Sequence, residues 1–259
     1  MSNLDLNMRF FTTSIVLFFI CNFTTSCNSN GSNLLSTDYA IFEKTEASKL
    51  AEFVKQNNVE GIKKELVNNP ELLSFQDPVY GMSLLHLSIY NLDYLSFITL
   101  LDSEVEIDIY EYSDGSTPLI MASSLDENYY LKYVSELIKH GANVNSVQSQ
   151  SSNIQNFLGN TALMEAAKFN NLQVCKLLIK NNADVNALNF DGMSALGYSM
   201  LTNNFDIALF LLKNGADPNT KLFDKFDKFQ NKQPVYLKDY LIQHPNIAQI
   251  NEFDVYINK

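Results

Sequence analysis

Apolar residues recur through most of the chain at intervals of three and four, the spacing that places them on one face of an α-helix. The pattern is clearest near the middle, where Val174, Leu177 and Leu178 fall at i, i+3 and i+4. They predict the buried face of a short amphipathic helix. Just before them, Leu163 and Ala166 predict another short helix, whose small alanine allows a neighbour to pack closely. Pairs of short helices are therefore the expected building unit.

The helix pairs belong to an internal repeat. Four segments begin with a similar glycine motif: Gly81-Met82-Ser83-Leu84-Leu85-His86, Gly115-Ser116-Thr117-Pro118-Leu119, Gly159-Asn160-Thr161-Ala162-Leu163 and Gly192-Met193-Ser194-Ala195-Leu196. Three segments also end alike: Gly141-Ala142-Asn143-Val144-Asn145, Asn182-Ala183-Asp184-Val185-Asn186 and Gly215-Ala216-Asp217-Pro218-Asn219. The glycines are 34, 44 and 33 residues apart, and a period near this length indicates a solenoid of stacked repeats.

These motifs resemble the ankyrin repeat, whose period is about 33 residues and whose signature contains T-P-L-H and a closing G-A-D-V-N. The resemblance covers most of residues 46–245. It implies an all-α repeat solenoid in which helix-turn-helix repeats are joined by β-hairpin loops. The expected domain is residues 46–259, with degenerate caps at both ends. Four repeats are expected near residues 79–112, 113–157, 158–190 and 191–220.

Several motif residues are expected to serve the fold. Thr117 caps free helix N–H groups and Pro118 fits the first helical turn. Gly141 and Gly215 end their helices in a left-handed conformation. The resemblance implies that His86 makes hydrogen bonds between repeats. The complete set of structural motif residues is His86, Thr117, Pro118, Gly141, Thr161, Gly192 and Gly215.

The caps and insertions depart from the motif. Residues 46–69 predict two helices, with Val67 on the buried face of the second, and Pro234 is expected to open a helix from Gln233 to His244. Three phenylalanines recur before it: Phe223, Phe226 and Phe229. They predict packing against the last repeat or a helix that docks a partner. The 44-residue interval holds extra residues around 126–128 and in 146–153, either a binding loop or an indifferent surface loop.

The N-terminus predicts an export signal. Arg9 precedes a seven-residue apolar run, Ile15 to Cys21, which is shorter than the roughly 20 residues that span a bilayer. Residues 1–26 are therefore expected to be a signal peptide, read from Met1 or from Met8. An uncleaved anchor is the alternative.

The residues around the expected cleavage site, Thr24-Thr25-Ser26-Cys27, resemble a bacterial lipobox. The resemblance implies cleavage before Cys27 and a lipid on its sulfur, with residues 27–45 as a flexible tether. A lipid-anchored protein of the bacterial cell envelope, facing the periplasm or the surface, is expected. Cleavage near Ser26 without lipid would give a soluble periplasmic or secreted protein instead.

Charge and residue chemistry narrow the function. Lys+Arg is 18 against Asp+Glu 29, a net charge of -11 that disfavours nucleic acid and anionic lipid surfaces. The three histidines lack metal-ligand spacing, and no nucleophile motif or phosphate loop occurs. Cys175 is expected to be a buried hydrophobe. We expect no catalysis, no metal and no cofactor. The alternative is an enzyme site in the 123–160 region using Asp126, Glu127, Glu136 and His140.

The ankyrin resemblance implies binding through the hairpin tips and the exposed ends of the first helices. The residues carried over to that surface are Tyr80, Met82, Tyr90, Asn91, Tyr112, Asp114, Ser116, Phe157, Leu158, Asn160, Lys168, Phe169, Leu188, Phe190, Asp191, Met193, Leu201 and Thr202. Aromatic and methionine side chains suit a protein interface. The expected function is a monomeric, non-catalytic protein-protein interaction module with an unknown protein partner. The alternatives are an envelope-located antagonist or immunity-type inhibitor of a toxic enzyme, and a cytoplasmic ankyrin scaffold.

Overall fold

A computed structural model describes residues 38–125, 127–149, 158–226, 232–244 and 253–257. The chain divides into two compact units, Met1–Val105 and Glu106–Lys259. The described residues are mainly helical, with one two-stranded sheet. The predicted signal peptide, Cys27 and most of the tether lie outside them. In this part of the chain no helix combines the length and the apolarity needed to cross a membrane.

The first unit contains two helix pairs. Its α-helices are α1 (Ser48–Lys55), α2 (Val59–Asn68), α3 (Leu84–Tyr90) and α4 (Tyr94–Asp102). Short 3-10 helices occupy Tyr39–Phe42 and Pro70–Ser74. The first of these is held in place because the Tyr39 hydroxyl donates to Asp93 Oδ2 at 2.6 Å.

The second unit contains three helix pairs and a C-terminal cap. Its α-helices are α5 (Pro118–Ser123), α6 (Glu127–Lys139), α7 (Ala162–Lys168), α8 (Leu172–Lys180), α9 (Ala195–Leu201), α10 (Phe205–Lys213), α11 (Leu237–Gln243) and α12 (Asp254–Ile257). Strands β1 (Phe223–Phe226) and β2 (Lys232–Val235) pair antiparallel, with Phe223 opposite Val235. Successive first helices pack side by side, α5 on α7 and α7 on α9.

The predicted helix starts and stops are confirmed. Thr117 Oγ1 accepts the Ile120 N–H at 3.3 Å, and Pro118 is the first residue of α5. Thr161 Oγ1 accepts the Met164 N–H in the same way at the start of α7. Gly215 follows α10 with φ of 93°, a left-handed conformation that side chains disfavour. Gly141 has φ of 95° after α6. His86 is buried, and its Nδ1 lies 2.9 Å from Ser83 Oγ in the capping box of α3.

Asparagine side chains join one repeat to the next in the second unit. The Asn171 amide at the start of α8 donates to the carbonyls of Ser123 and Leu125 beyond α5. The Asn204 amide before α10 donates to the Ala167 carbonyl of α7 at 2.9 Å. Because each amide satisfies carbonyls that a helix end leaves without partners, the repeats stack with their polar backbone groups paired. Asn171 and Asn204 thus serve the stacking.

The core of the second unit follows the predicted periodicity. Val174 and Leu178 are fully buried on α8, while Leu177 is partly buried. Cys175 is buried as a free thiol, as expected for a small hydrophobe. The side chain of Ala166 on α7 is also fully buried, which permits the close approach of its neighbours.

Three predictions about the ends of the domain are corrected. The predicted tether reaches too far, because Tyr39 and Phe42 are buried in the first unit and residues 38–45 are folded. Val67 is 80% exposed and lies on the outer face of α2. The helix predicted from Gln233 begins at Leu237.

The segment before that helix is a hairpin. Pro234 lies in strand β2 opposite Asp224, on a two-stranded ribbon in which each strand has one free edge. The predicted docking helix is wrong for Phe223 and Phe226, which lie in strand β1. Phe229 falls outside the described residues.

The hairpin packs against α9 through a glycine. A Cβ atom at Gly197 would stand 2.2 Å from the Leu222 carbonyl oxygen, so only glycine fits there. The matching positions in the other first helices, third from the helix start, hold His86, Ile120 and Met164. Leu222 itself is fully buried. The last repeat therefore lacks a side chain where the cap covers it.

The two insertions, near residue 126 and in 146–153, differ in structure. Helix α6 has 13 residues against 9 in α8 and α10, so the extra residues near 126 lengthen the second helix of its repeat. The start of the second insertion is a strand-like bridge, with Val147 paired to Thr161. Residues 150–157 lie outside the described part of the chain.

Candidate protein-binding surface

The hairpin tips of the second unit carry exposed apolar side chains. We call this set the tip ridge: Tyr110, Tyr112, Val147, Leu188 and Phe190. Their exposed fractions range from 36% for Tyr110 to 66% for Phe190. Folding buries most side chains of this size in the unit. The ridge side chains instead expose large apolar surfaces to water and contribute little to the core, which is typical of an interaction surface.

Backbone hydrogen bonds connect consecutive tips. The Ser149 N–H donates to the Gly115 carbonyl and the Gln148 N–H donates to the Asn160 carbonyl, each at 2.9 Å. The Phe190 N–H donates to the Leu158 carbonyl at 3.0 Å. The tips are therefore linked in sequence, and the ridge side chains project from a continuous structure.

Phe190 is supported by the preceding tip. Gly159 has φ of 69°, and a Cβ atom there would stand 1.9 Å from the Phe190 ring. The ring therefore lies directly over a glycine backbone. One face of Phe190 is fixed in this way while most of the ring stays exposed, which is the arrangement of a preorganised aromatic anchor.

A buried polar network lies behind the tips. The Asn189 amide donates to Asn160 Oδ1 at 2.8 Å and to the Tyr198 hydroxyl at 3.1 Å. The Tyr198 hydroxyl donates to Asn160 Oδ1 at 3.0 Å, and the Asn160 amide donates to Glu165 Oε1 at 2.5 Å. Burial raises the pKa of the Tyr198 phenol, which keeps the hydroxyl protonated. Because its members are hydrogen-bonded to one another, the network stiffens the tips.

The network ends in a buried ion pair. Lys168 Nζ lies 3.3 Å from Glu165 Oε2, and the side chains of the two residues are only 9% and 5% exposed. The same ammonium lies 5.0 Å from the centre of the Phe169 ring and 5.7 Å from that of Tyr198. Carboxylate and aromatic faces together compensate for the water that the ammonium has lost.

Two carboxyl groups share the tip before Gly115. The buried Glu111 carboxylate accepts the backbone N–H groups of Ser113, Asp114 and Ser116. Desolvation, with a hydrogen bond to Glu111 and its charge, raises the pKa of Asp114 to about 8. The pKa of Glu111 is lowered, because hydrogen bonds from Asp114 and Ser113 outweigh its burial. At neutral pH the pair therefore holds one proton, on Asp114.

The predicted surface residues of the second unit fall into three groups. Tyr112, Phe190 and Asp191 are exposed on the tips. Four are partly buried: Asp114, Phe169, Met193 and Thr202. The Lys168 side chain is almost entirely buried, and its ammonium forms an ion pair with Glu165, so it does not lie on the surface as predicted. Phe157 lies outside the described residues.

In the first unit, Tyr80 and Tyr90 are partly exposed. Met82 is 2% exposed, so the prediction that it lies on the surface is corrected. Ser116 and Asn160, at the matching positions after Gly115 and Gly159 and also predicted on the surface, are buried as well. The exception is Met193 after Gly192, which is partly buried. A partner can therefore not reach this position at the first three tips without unfolding them.

The sequence placed Leu188 on the surface, and it is 54% exposed. Two other ridge residues, Tyr110 and Val147, were left out of the predicted surface. Alternation was the available signal at one tip, where Tyr110 and Tyr112 are exposed and Glu111 between them is buried. Val147 had no comparable signal, because the adjacent tip decides how much of it is covered.

Catalytic chemistry finds little support in the described residues. Among them no group of three or more His, Cys, Asp and Glu side chains could hold a metal. His140 Nδ1 lies 2.8 Å from the Glu136 carbonyl oxygen of its own helix, and His244 Nδ1 is bound to the Tyr240 carbonyl in the same way. Asp126, from the alternative enzyme site, falls outside the described part.

Comparisons with known proteins identify the repeats. Residues 146–221 match the family model for ankyrin repeats (3 copies), and residues 114–148 match the model for a single ankyrin repeat. No curated protein matches the chain. The predicted fold class, an all-α solenoid of ankyrin-type repeats, is confirmed by these matches over residues 114–221 and by the mainly helical structure of the described residues. Ankyrin repeats imply a protein-protein interaction module.

Proposed function

We propose that the protein is a non-catalytic module that binds a protein partner through the tip ridge. The observation that carries this proposal is the exposure of large apolar side chains on tips that a buried network holds rigid. Large exposed apolar patches on a folded protein mark interaction surfaces, and aromatic anchors dominate their energy. Rigid tips lose little conformational entropy when a partner binds.

Site-specific photo-crosslinking tests this proposal. A photoreactive phenylalanine analogue at position 190 should form covalent adducts with a protein partner in cells of the native host. The matched control carries the same analogue at Ile242, which is 68% exposed on α11 and distant in sequence from the tips. Adducts from position 190 should weaken when Tyr112→Ser is added. Equal labelling from both positions, or none from position 190, would contradict the proposal.

We further propose that the chain is exported and anchored to the bacterial envelope by a lipid on Cys27. The support is the short apolar run followed by small residues, a cysteine and a polar stretch. The described part of the chain begins at Asp38, eleven positions after Cys27. A single acyl chain binds membranes weakly, whereas the two chains of a diacylglycerol on Cys27 would suffice for firm anchoring.

The intact mass of the protein from membrane and soluble fractions tests the anchor. Wild type should lack residues 1–26, carry lipid on Cys27 and sediment with membranes, whereas Cys27→Ala should lose both the lipid and the membrane association. Cys175→Ala is the matched control and should leave both unchanged, because that thiol is buried. A wild-type chain that retains Met1 or Met8 and carries no lipid would refute cleavage and lipidation together, and cleavage near Ser26 without lipid would refute the lipid anchor alone.

A further inference from the structure

We propose that the tip ridge binds a basic and apolar protein segment, on which lysine or arginine side chains flank aliphatic or aromatic ones. This inference rests on the proposed function and adds the chemistry of the partner. Two properties of the ridge lead to it: the sign of the charges around it and the place where the opposite charges lie.

The exposed charges around the ridge have one sign. In the described hairpin segments of the second unit (106–116, 142–149, 158–161, 181–194 and 214–224) the exposed charged residues are acids: Glu106, Asp184, Asp191 and Asp217. The lysine in these segments, Lys221, is partly buried. Its ammonium donates to the Asp191 carbonyl at 2.9 Å and lies 3.1 Å from Asp224 Oδ2. Asp191, next to Phe190, is itself exposed.

The basic residues of the same unit lie elsewhere. Lys139, Lys180 and Lys213 are exposed in the last turns of the second helices α6, α8 and α10. Cations there are favoured by the helix dipole, so their placement has a structural cause. Within the hairpin segments named above, the exposed charge beside the apolar ridge is therefore negative, and Asp191 directly follows Phe190 in the chain.

This combination selects the partner by two effects. The apolar side chains supply the contact surface, while the carboxylates on the tips attract cations and repel other acidic surfaces over a screening length of about 8–10 Å. Such complementarity raises the association rate and excludes like-charged competitors more than it strengthens the final contact. Nucleic acids and acidic proteins are therefore disfavoured, and a basic, apolar segment fits both features.

Three synthetic peptides of equal length test the inference with the full chain, by fluorescence anisotropy. The first has lysines flanking leucines, the second has glutamate for each lysine, and the third has serine for each leucine. The lysine-leucine peptide should bind at least tenfold more tightly than either of the others. Its binding should weaken when the salt concentration rises from 50 to 500 mM, because the screening length becomes shorter and the attraction between opposite charges decreases.

Charge-reversal variants locate the binding. Glu106→Lys/Asp191→Lys should weaken binding of the lysine-leucine peptide at least tenfold, and Phe190→Ser should do the same. The matched controls, Asp239→Lys and Ile242→Ser, alter exposed residues of α11 and should change affinity less than twofold. Circular dichroism would verify that every variant is folded.

Several outcomes would overturn the inference: equal binding of the glutamate-leucine peptide, equal binding of the lysine-serine peptide, no binding at all, or an affinity that the tip variants leave unchanged. These failures differ from failure of the proposed function. If position 190 crosslinks a protein in cells but the lysine-leucine peptide is not preferred, the interaction surface stands and only the chemistry assigned to the partner is wrong.

Discussion

Replacing Glu165 with leucine should lower the free energy of unfolding by about 3–5 kcal/mol, because it removes one partner of a buried ion pair. Lys168 would lose the carboxylate 3.3 Å from its ammonium, and the Asn160 amide would lose its acceptor. Both groups are too deeply buried for water to replace the missing oxygen atoms. Equilibrium urea unfolding followed by circular dichroism would measure the loss.

The double variant Glu165→Leu/Lys168→Met separates the charge from the packing. It should recover most of the lost stability, since buried ion pairs can often be replaced by apolar residues of similar volume at little net cost. Lys139→Met is the matched control at an exposed pair, where Lys139 is 70% exposed, and should change stability by less than about 1 kcal/mol. A Glu165→Leu protein as stable as wild type would show that the pair contributes nothing.

The ion pair also shows how far the sequence can be interpreted. Lys168 was assigned to the binding surface because its position near the end of a first helix is exposed in the family pattern. Glu165 lies three residues earlier, a spacing that allows contact on a helix. Whether such a pair is buried depends on the next repeat, which places Tyr198 against Lys168. The sequence pattern of a helix predicts contacts within that helix, but not which of its side chains the neighbouring repeat covers.

The C-terminal cap gives a second example. An interval of three between phenylalanines resembles a helical stripe, and Pro234 resembles a helix start. In the structure both features belong to the hairpin of β1 and β2, and the backbone of Leu222, just before β1, covers Gly197 on α9. The repeats and their helix caps could be predicted because every repeat carries the same short motifs. The hairpin has no second copy in the chain that could reveal its pattern.

The tips lie between these two cases. The glycines, turn residues and helix caps allowed the tips to be located from the sequence. Phe190, Asp191 and Tyr112 were correctly predicted to lie at the surface. The inward direction of Met82 was missed, although the buried residues after Gly115 and Gly159 follow the same rule. Exposure of the ridge depends on contacts between successive tips, and these contacts join residues that are far apart in the chain.

Replacing Asp114 with asparagine should make the protein more stable than wild type at pH 8, by at least about 1 kcal/mol. The pKa of Asp114 is about 8 in the folded protein, whereas an aspartate in an unfolded chain has a pKa near ~3.9. The folded state therefore binds a proton that the unfolded state releases. This contribution to stability is complete below about pH 4 and is lost as the pH rises from about 4 to 8.

Glu111 titrates in the opposite sense and outside that window. Its pKa is lowered in the folded protein, so its contribution is present above its unfolded pKa of about 4.3 and is lost only as the pH falls below it. Between about pH 4 and 8 the slope therefore comes from Asp114. An asparagine at this position cannot ionise, and its amide can donate to Glu111 while its oxygen accepts the Ser116 N–H, as the protonated aspartic acid does.

Thermal unfolding at pH values from 4 to 9 tests this prediction. Wild type should lose stability towards pH 8, and Asp114→Asn should lose less, with a midpoint at least about 2–4 °C higher at pH 8. Asp191→Asn is the matched control, because Asp191 also precedes a tip glycine but is exposed to water. It should leave the pH profile of wild type unchanged. If Asp114→Asn and wild type differ by the same amount at every pH, the proton shared with Glu111 does not control the stability of this tip.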